Sequence, residues 1–275
     1  MQNSFKALTL KQEGAIATIS IDNGPINLLD LNLVKDLISA GRQLSADDTV
    51  KVVIIESANP EFFIAHADVN MIMAMSGTPA PDGKTPGTFH KMFELYRNMP
   101  KVTIGKVKGI ARGGGSELLL ALDMRFAAIG KARLGQPEVA LGLIAGSGGC
   151  TRLPKLVGRG RAMEILLGCD DFDAELAERY GYVNRAVAAD KIDEFVSRLA
   201  KRIAASPAHA IALTKKLVNS GESIREEDMG LEFEHFYQSA TGKGMAERMT
   251  QAMELGLQTT EAELRDLNEV TIKIK

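Results

Sequence analysis

Residues 50–57, VKVVIIES, constrain the fold more than any other segment. Four consecutive β-branched residues, Val52 to Ile55, leave no polar face to turn toward water. A run this short reads as a strand covered on both sides, the kind found inside parallel sheets. Upstream, FKALTLKQEGAIATISID divides into two β segments about Gln12-Glu13-Gly14, a predicted hairpin. NGPIN then breaks the chain, and Leu33, Val34, Leu37, Ile38 and Leu44 recur at near-helical spacing across 31–44. VTIGKVKGIA, 102–111, is a second strand candidate, and SELLLALDMRFAAIG, 116–130, begins helical and becomes strand-like. Strand, helix, strand, Gly-rich turn and helix in succession predict repeated βα crossovers and a mainly parallel sheet, an α/β fold.

Past about residue 190 the pattern turns helical, and a strand pattern returns only in the final VTIKIK. We therefore expect an α/β core over 1–195 and a helical region over 196–275. SGTPAPDGKTPGT, 76–88, has three Gly, three Pro and no large apolar side chain, so it reads as a surface loop. It is either a tolerated insertion or a lid over a substrate.

Hydrophobic residues at 45% suit a protein with a sizeable core, and a net charge of −2 gives no electrostatic case for nucleic acid or a membrane surface. No stretch approaches the roughly 20 apolar residues of a membrane span. The opening MQNSFKALTLKQEG lacks the pattern of a secretory signal. Cys150 and Cys169 cannot make a disulfide scaffold and stand in no CxxC spacing. A reduced, cytoplasmic location is expected.

ARGGGSELLLAL, 111–122, brings three glycines into a helix start. Glycine lets a ligand approach the backbone, and a helix start offers unpaired N–H groups with partial positive charge. GxxxxGK[ST] is absent and GxGxxG is incomplete, so no phosphate loop is indicated. The functional reading is an N–H aimed at a developing negative oxygen; close helix–strand packing competes with it. Glu117 falls in the first turn, where a carboxylate suits the helix dipole. Its apolar followers, Leu118 to Leu122, equally suit a dry pocket that would raise its pKa. Glu138, in LGQPEVALGLIAGSGGCTRL, has a similar neighbourhood. Two such carboxylates can hold different protonation states, one as acid and one as base, although spacing alone does not bring them together.

FIAHADVN, 63–70, places His66 in a small-sided turn. No partner ligand has suitable spacing, and His90, His209 and His235 lack HxxxH or HExxH patterns, so no metal is expected. Met71, Met73 and Met75 follow, either as an adaptable apolar wall or as simple core.

FIAHADVNMI, KVTIGKVKGIARGGGSELLLALDMRFAA, LGQPEVALGLIAGSGGCTRLPKLVGRGRAMEILLG and AERYGYVNRAV together resemble the crotonase (enoyl-CoA hydratase/isomerase) superfamily, in family order along nearly the whole chain. The resemblance implies a ββα spiral core, a C-terminal helical trimerisation region and a homotrimer or homohexamer. It implies an acyl-CoA thioester as substrate, with coenzyme A part of that substrate and no further cofactor required. The thioester oxygen would lie between the N–H groups of Ala67 and Gly114. Glu117 and Glu138 would hold a water between them, helped by the N–H of Gly146. Coenzyme A would lie along Ala65, His66, Ala67, Asp68, Val69 and Asn70, with Asp68 more a cap than a catalyst. Lys155, Arg159 and Arg161 form a basic cluster that could meet its phosphates, or simply a solvated patch.

The activity this implies is reversible hydration of a 2-enoyl-CoA. The alternatives are a Δ3,Δ2-enoyl-CoA isomerase working mainly through Glu138, and a non-catalytic acyl-CoA-binding or scaffold protein. Four positions depart from the family pattern: His66 stands where glycine is usual, Val102 and Ala145 where proline is usual, and Arg112 where a smaller or apolar residue is common. Histidine is among the residues that accept positive φ, so His66 reads as a tolerated bend.

Overall fold

The computed structural model describes residues 5–75 and 78–274. The predicted hairpin forms as β1 (Leu8–Glu13) and β2 (Ile16–Ile21), and the 31–44 periodicity becomes α1 (Leu31–Ala46). Asp30 caps α1 by accepting from the Leu33 N–H at 2.9 Å. VKVVIIES supplies β3 (Val52–Ser57), paired in parallel with β2. Its β-branched run is buried on both faces, as expected: Val53 and Ile55 enter the main core, and Val52 and Ile54 enter a second cluster behind the sheet.

The chain then winds as a spiral. β3 is followed by β4 (Phe62–Ile64), α2 (Val69–Met73) and α3 (Thr88–Asn98). β5 (Val102–Val107) and β6 (Ile110–Arg112) lead into α4 (Gly114–Ala121). β7 (Met124–Ile129) and β8 (Arg133–Gly135) lead through a 3-10 turn, Glu138–Leu141, into α5 (Gly149–Val157) and α6 (Arg159–Gly168). Next come β9 (Phe172–Asp173), α7 (Ala174–Tyr180) and β10 (Arg185–Ala188). Each ββα turn gives one strand to a six-stranded sheet, β1-β2-β3-β5-β7-β10, and the next to a four-stranded sheet, β4-β6-β8-β9. Both sheets are parallel except for β1–β2 and β8–β9.

The single strand predicted over 102–111 is two strands in different sheets. Gly109 forces the break, because a Cβ there would run into the backbone of Glu61 and Phe62.

The C-terminal part is helical: α8 (Ile192–Ala204), α9 (Ala208–Gly221), α10 (Glu226–Ala240), α11 (Met245–Glu254), α12 (Thr260–Glu263) and α13 (Leu267–Thr271). α8 lays Ile192, Val196 and Ala200 on the outer face of the large sheet. VTIKIK is not a strand: Val270 and Thr271 end α13, Ile274 buries into a C-terminal cluster, and Lys275 lies outside the described residues. Alternating β-branched residues need a free sheet edge, and this segment packs on helices instead.

Within the predicted 76–88 loop, 76–77 lie outside the described residues, and 78–87 carry no regular element. That segment is seated on α10, since a Cβ at Gly87 would come within 2.9 Å of the Phe233 ring.

Candidate active site

The three consecutive glycines have three different jobs. Gly113 takes φ 47°, ψ −123°, a backbone conformation closed to residues with a side chain. It turns the chain from β6 into α4, with its N–H on the Gly135 carbonyl at 3.0 Å. Gly114 is the first residue of α4, so its N–H has no partner within the helix. Gly115 packs flat on Ile64. The turn thus accounts for Gly113 and close packing for Gly115, while Gly114 leaves an N–H unpaired within the helix.

A Cβ on Gly114 would sit 3.7 Å from the Ala67 nitrogen and 2.9 Å from Leu29, so the two predicted oxyanion donors lie on neighbouring backbone segments. Ala67 forms an isolated parallel bridge with Leu29, whose bonds fall on the His66 carbonyl (2.9 Å) and the Asp68 N–H (3.3 Å). In such a bridge the N–H and carbonyl of Ala67 itself point the other way. Its carbonyl is taken by His66 Nδ1 at 2.7 Å, which leaves the N–H as the group Ala67 presents.

The two glutamates come from different turns of the spiral and line the same cavity of about 200 Å³. Glu117, on α4, accepts from the N–H groups of Ser147 (2.7 Å) and Gly149 (3.0 Å). Burial raises its pKa, assisted by the nearby Glu232 charge, and those two amides resist the rise; the result is about 7. Glu138, opening the 3-10 turn, is raised well above the ordinary carboxyl range by burial and then by the charge of Glu117. The side-chain amide of Gln136 lies 3.1 and 3.3 Å from the two Glu138 oxygens. Both carboxyls are therefore harder to ionise than a free one, and at Glu138 the neighbouring Glu117 charge adds to burial.

The remaining predicted residues are placed as follows. Gly146 lines the cavity beneath Phe236, which would collide with any side chain there. Asp68 caps α2, accepting from the Asn70 N–H at 3.0 Å and from Gln258 at 3.0 Å. Val69 lines the cavity, Asn70 is exposed, and Ala65 is fully buried with its N–H on Ile26. Met71 and Met75 line the wall with Ile72, whereas Met73 packs toward the C-terminal cluster. Lys155 and Arg161 bind the carbonyls of Ser223 and Tyr180, and none of the basic cluster lines the cavity. His90 is buried against Glu232 at 2.8 Å.

His66 is not a bend at positive φ; among the described residues those without glycine are Asn27, Cys169 and Gln258. It is buried, and both ring nitrogens are engaged. Sequence reasoning also missed the roof of the site. Phe233 and Phe236 of α10, Met249 of α11 and Leu257 close the cavity opposite the glutamates. Their helical spacing was visible, but nothing local said which face met the core. The amides of Ser147 and Gly149 were readable in outline, because SGG opens a helix and offers unpaired donors.

Two buried carboxyls with raised pKa values thus line one largely apolar cavity beside Ala67 and the start of α4. The family model for enoyl-CoA hydratase/isomerase matches residues 11–256, and the chain belongs to that family, within the crotonase superfamily. Crotonyl-CoA hydratase of Syntrophomonas wolfei is 32% identical over 253 residues, covering 91% of this chain and 96% of that protein. Short-chain-enoyl-CoA hydratase of Clostridium acetobutylicum is 31% identical over 227 residues, 82% of this chain and 85% of that protein. A solved structure from Streptomyces avermitilis, provisionally described as an enoyl-CoA hydratase, superposes with a TM-score of 0.91. It shares 35% identity and covers 100% of this chain and 99% of its own.

Proposed function

We propose that this protein adds water reversibly across the double bond of a 2-enoyl-CoA thioester. The observation that carries the reading is the pair Glu117 and Glu138, held in one cavity where burial makes both carboxyls harder to ionise. The thioester carbonyl accepts from the Ala67 and Gly114 N–H groups, which stabilise the enolate without having to reorient. Ionised Glu117, oriented by the Ser147 and Gly149 amides, takes a proton from the attacking water, which the Gly146 N–H helps to hold. Neutral Glu138 delivers a proton to Cα. Coenzyme A lies along 65–70, and the acyl chain runs among Met71, Met75, Phe233 and Phe236. The chemistry uses protein groups alone and calls for no resident cofactor.

The hydratase names of the relatives support this reading. Hydration of crotonyl-CoA assayed beside isomerisation of a 3-enoyl-CoA tests it. The proposal predicts that hydration dominates and collapses in Glu117→Gln. Dominant isomerisation that survives Glu117→Gln would replace it with the one-base isomerase, and binding without turnover of either would indicate a binding protein. The assembly proposed with this function is a homotrimer or homohexamer, and a sedimentation mass of one chain would refute that.

A further inference from the structure

Two of the four departures from the family pattern, His66 and Arg112, meet at one carboxylate from the far end of the chain. Glu263, in α12, lies beyond the 11–256 span that the family model matches. Its Oε1 is 2.9 Å from His66 Nε2, and its Oε2 is 3.2 Å from Arg112 Nη1. All three side chains are buried. Arg112 Nη1 also donates to the Glu263 carbonyl (3.0 Å), while its Nε and Nη2 clasp Asp171 at 2.8 and 2.5 Å. The Gln258 N–H completes the shell of Glu263 at 2.9 Å.

The positions of these partners give the cluster its meaning. His66 immediately precedes Ala67, and Arg112 is two residues before Gly114. One carboxylate therefore ties together the two backbone segments that carry the two oxyanion donors. His66 also fixes Ala67 from the other side, since its Nδ1–H donates to the Ala67 carbonyl. A carbonyl can only accept, and a carboxylate held ionised can only accept, so both ring nitrogens must donate and the ring is an imidazolium.

We propose that Glu263 is a positioning residue that sets the spacing of the oxyanion hole by bridging His66 and Arg112. This rests on the proposed use of Ala67 and Gly114 as donors to a thioester carbonyl. It also explains why a histidine is present beside a donor that needs no side chain: the imidazolium is one arm of the brace.

The test uses the infrared stretch of the thioester carbonyl in bound butyryl-CoA, which falls in frequency as the hole's hydrogen bonds tighten, together with kcat and KM for crotonyl-CoA hydration. Four proteins are compared: wild type, Glu263→Ala, His66→Gly and the double variant. Each single variant is expected to move the bound stretch part way back to its free value and to lower kcat about 10- to 100-fold; in Glu263→Ala, outside the proposed coenzyme A contacts, KM should change little, the signature of misplaced donors. The double variant is expected to fall no further than the worse single one, because both act through one carboxylate. An unshifted stretch in both single variants, or fully additive losses, would overturn the brace. Should Glu263→Ala fail to fold, His66→Gly, which leaves Glu263 paired with Arg112, decides by its stretch alone. Absence of any carbonyl shift in the wild type would instead remove the oxyanion reading, and the brace with it.

Discussion

Glu117 and Glu138 line the same cavity; burial makes both harder to ionise, and the charge of Glu117 adds to this at Glu138. The proposed hydration needs Glu117 ionised and Glu138 neutral, which would give the pH profile two limbs. Activity should fall on the acid side as Glu117 protonates near pH 7, and on the alkaline side once Glu138 loses its proton. In kcat/KM against pH, a profile flat from pH 5 to 9 would count against this assignment. The same raised pKa has a stability consequence. A carboxyl raised on folding stabilises the fold below its unfolded value, and that contribution is lost as pH rises toward the folded value. At neutral pH Glu138 thus works against folding, and Glu138→Gln should be more stable than wild type at pH 7, with a gain that grows above pH 4.5. Urea unfolding at pH 4 and pH 7 measures this; a variant less stable than wild type at pH 7 would contradict it. Glu263 runs the other way. Burial opposes ionisation there, but His66, Gln258 and Arg112 outweigh it and hold the group down to about 2. Its contribution is present above its ordinary value near 4.5 and lost as pH falls toward 2.

α4 carries the site and is buried along its whole length, so its last carbonyls have no water to bind. Arg125, from β7, supplies the missing donors: Nη1 reaches the Leu122 and Leu119 carbonyls at 2.8 and 3.2 Å, and Nε reaches Tyr182 at 3.2 Å. Burial lowers its pKa to about 10, which still leaves it charged at neutral pH. Arg125→Met should cost about 2–4 kcal/mol in urea unfolding, because buried carbonyls lose their partner. A change within about 0.5 kcal/mol would show that the cap does not matter. What was legible in the sequence at this scale follows from locality. β3, α1 and α4 announce themselves through a β-branched run, a helical period and a glycine entry. β8 and β9, at three and two residues, are too short to show any period. VTIKIK shows the period of a strand and has no sheet edge to join.

For the molecule as a whole, the spiral brings together segments that lie far apart in the chain. Glu117 and Glu138 could be named from their apolar surroundings, but only the ββα winding sets them in one cavity. His66 and Glu263 are 197 positions apart, and no local pattern connects a small-sided turn to a C-terminal helix. α10 and α11 reach the cavity through Phe233, Phe236 and Met249, so the region read merely as helical supplies part of the wall. Among the described residues no helix is long and apolar enough to cross a membrane. The central claim is that two carboxyls of unequal acidity, one as base and one as acid, hydrate an enoyl thioester at a backbone oxyanion hole. The most direct measurement is crotonyl-CoA hydration at pH 7 by Glu117→Gln and Glu138→Gln, with acyl-CoA binding followed in parallel. Each substitution should lower turnover about 10²- to 10⁴-fold while binding is retained. Near-normal turnover in either variant would contradict the account.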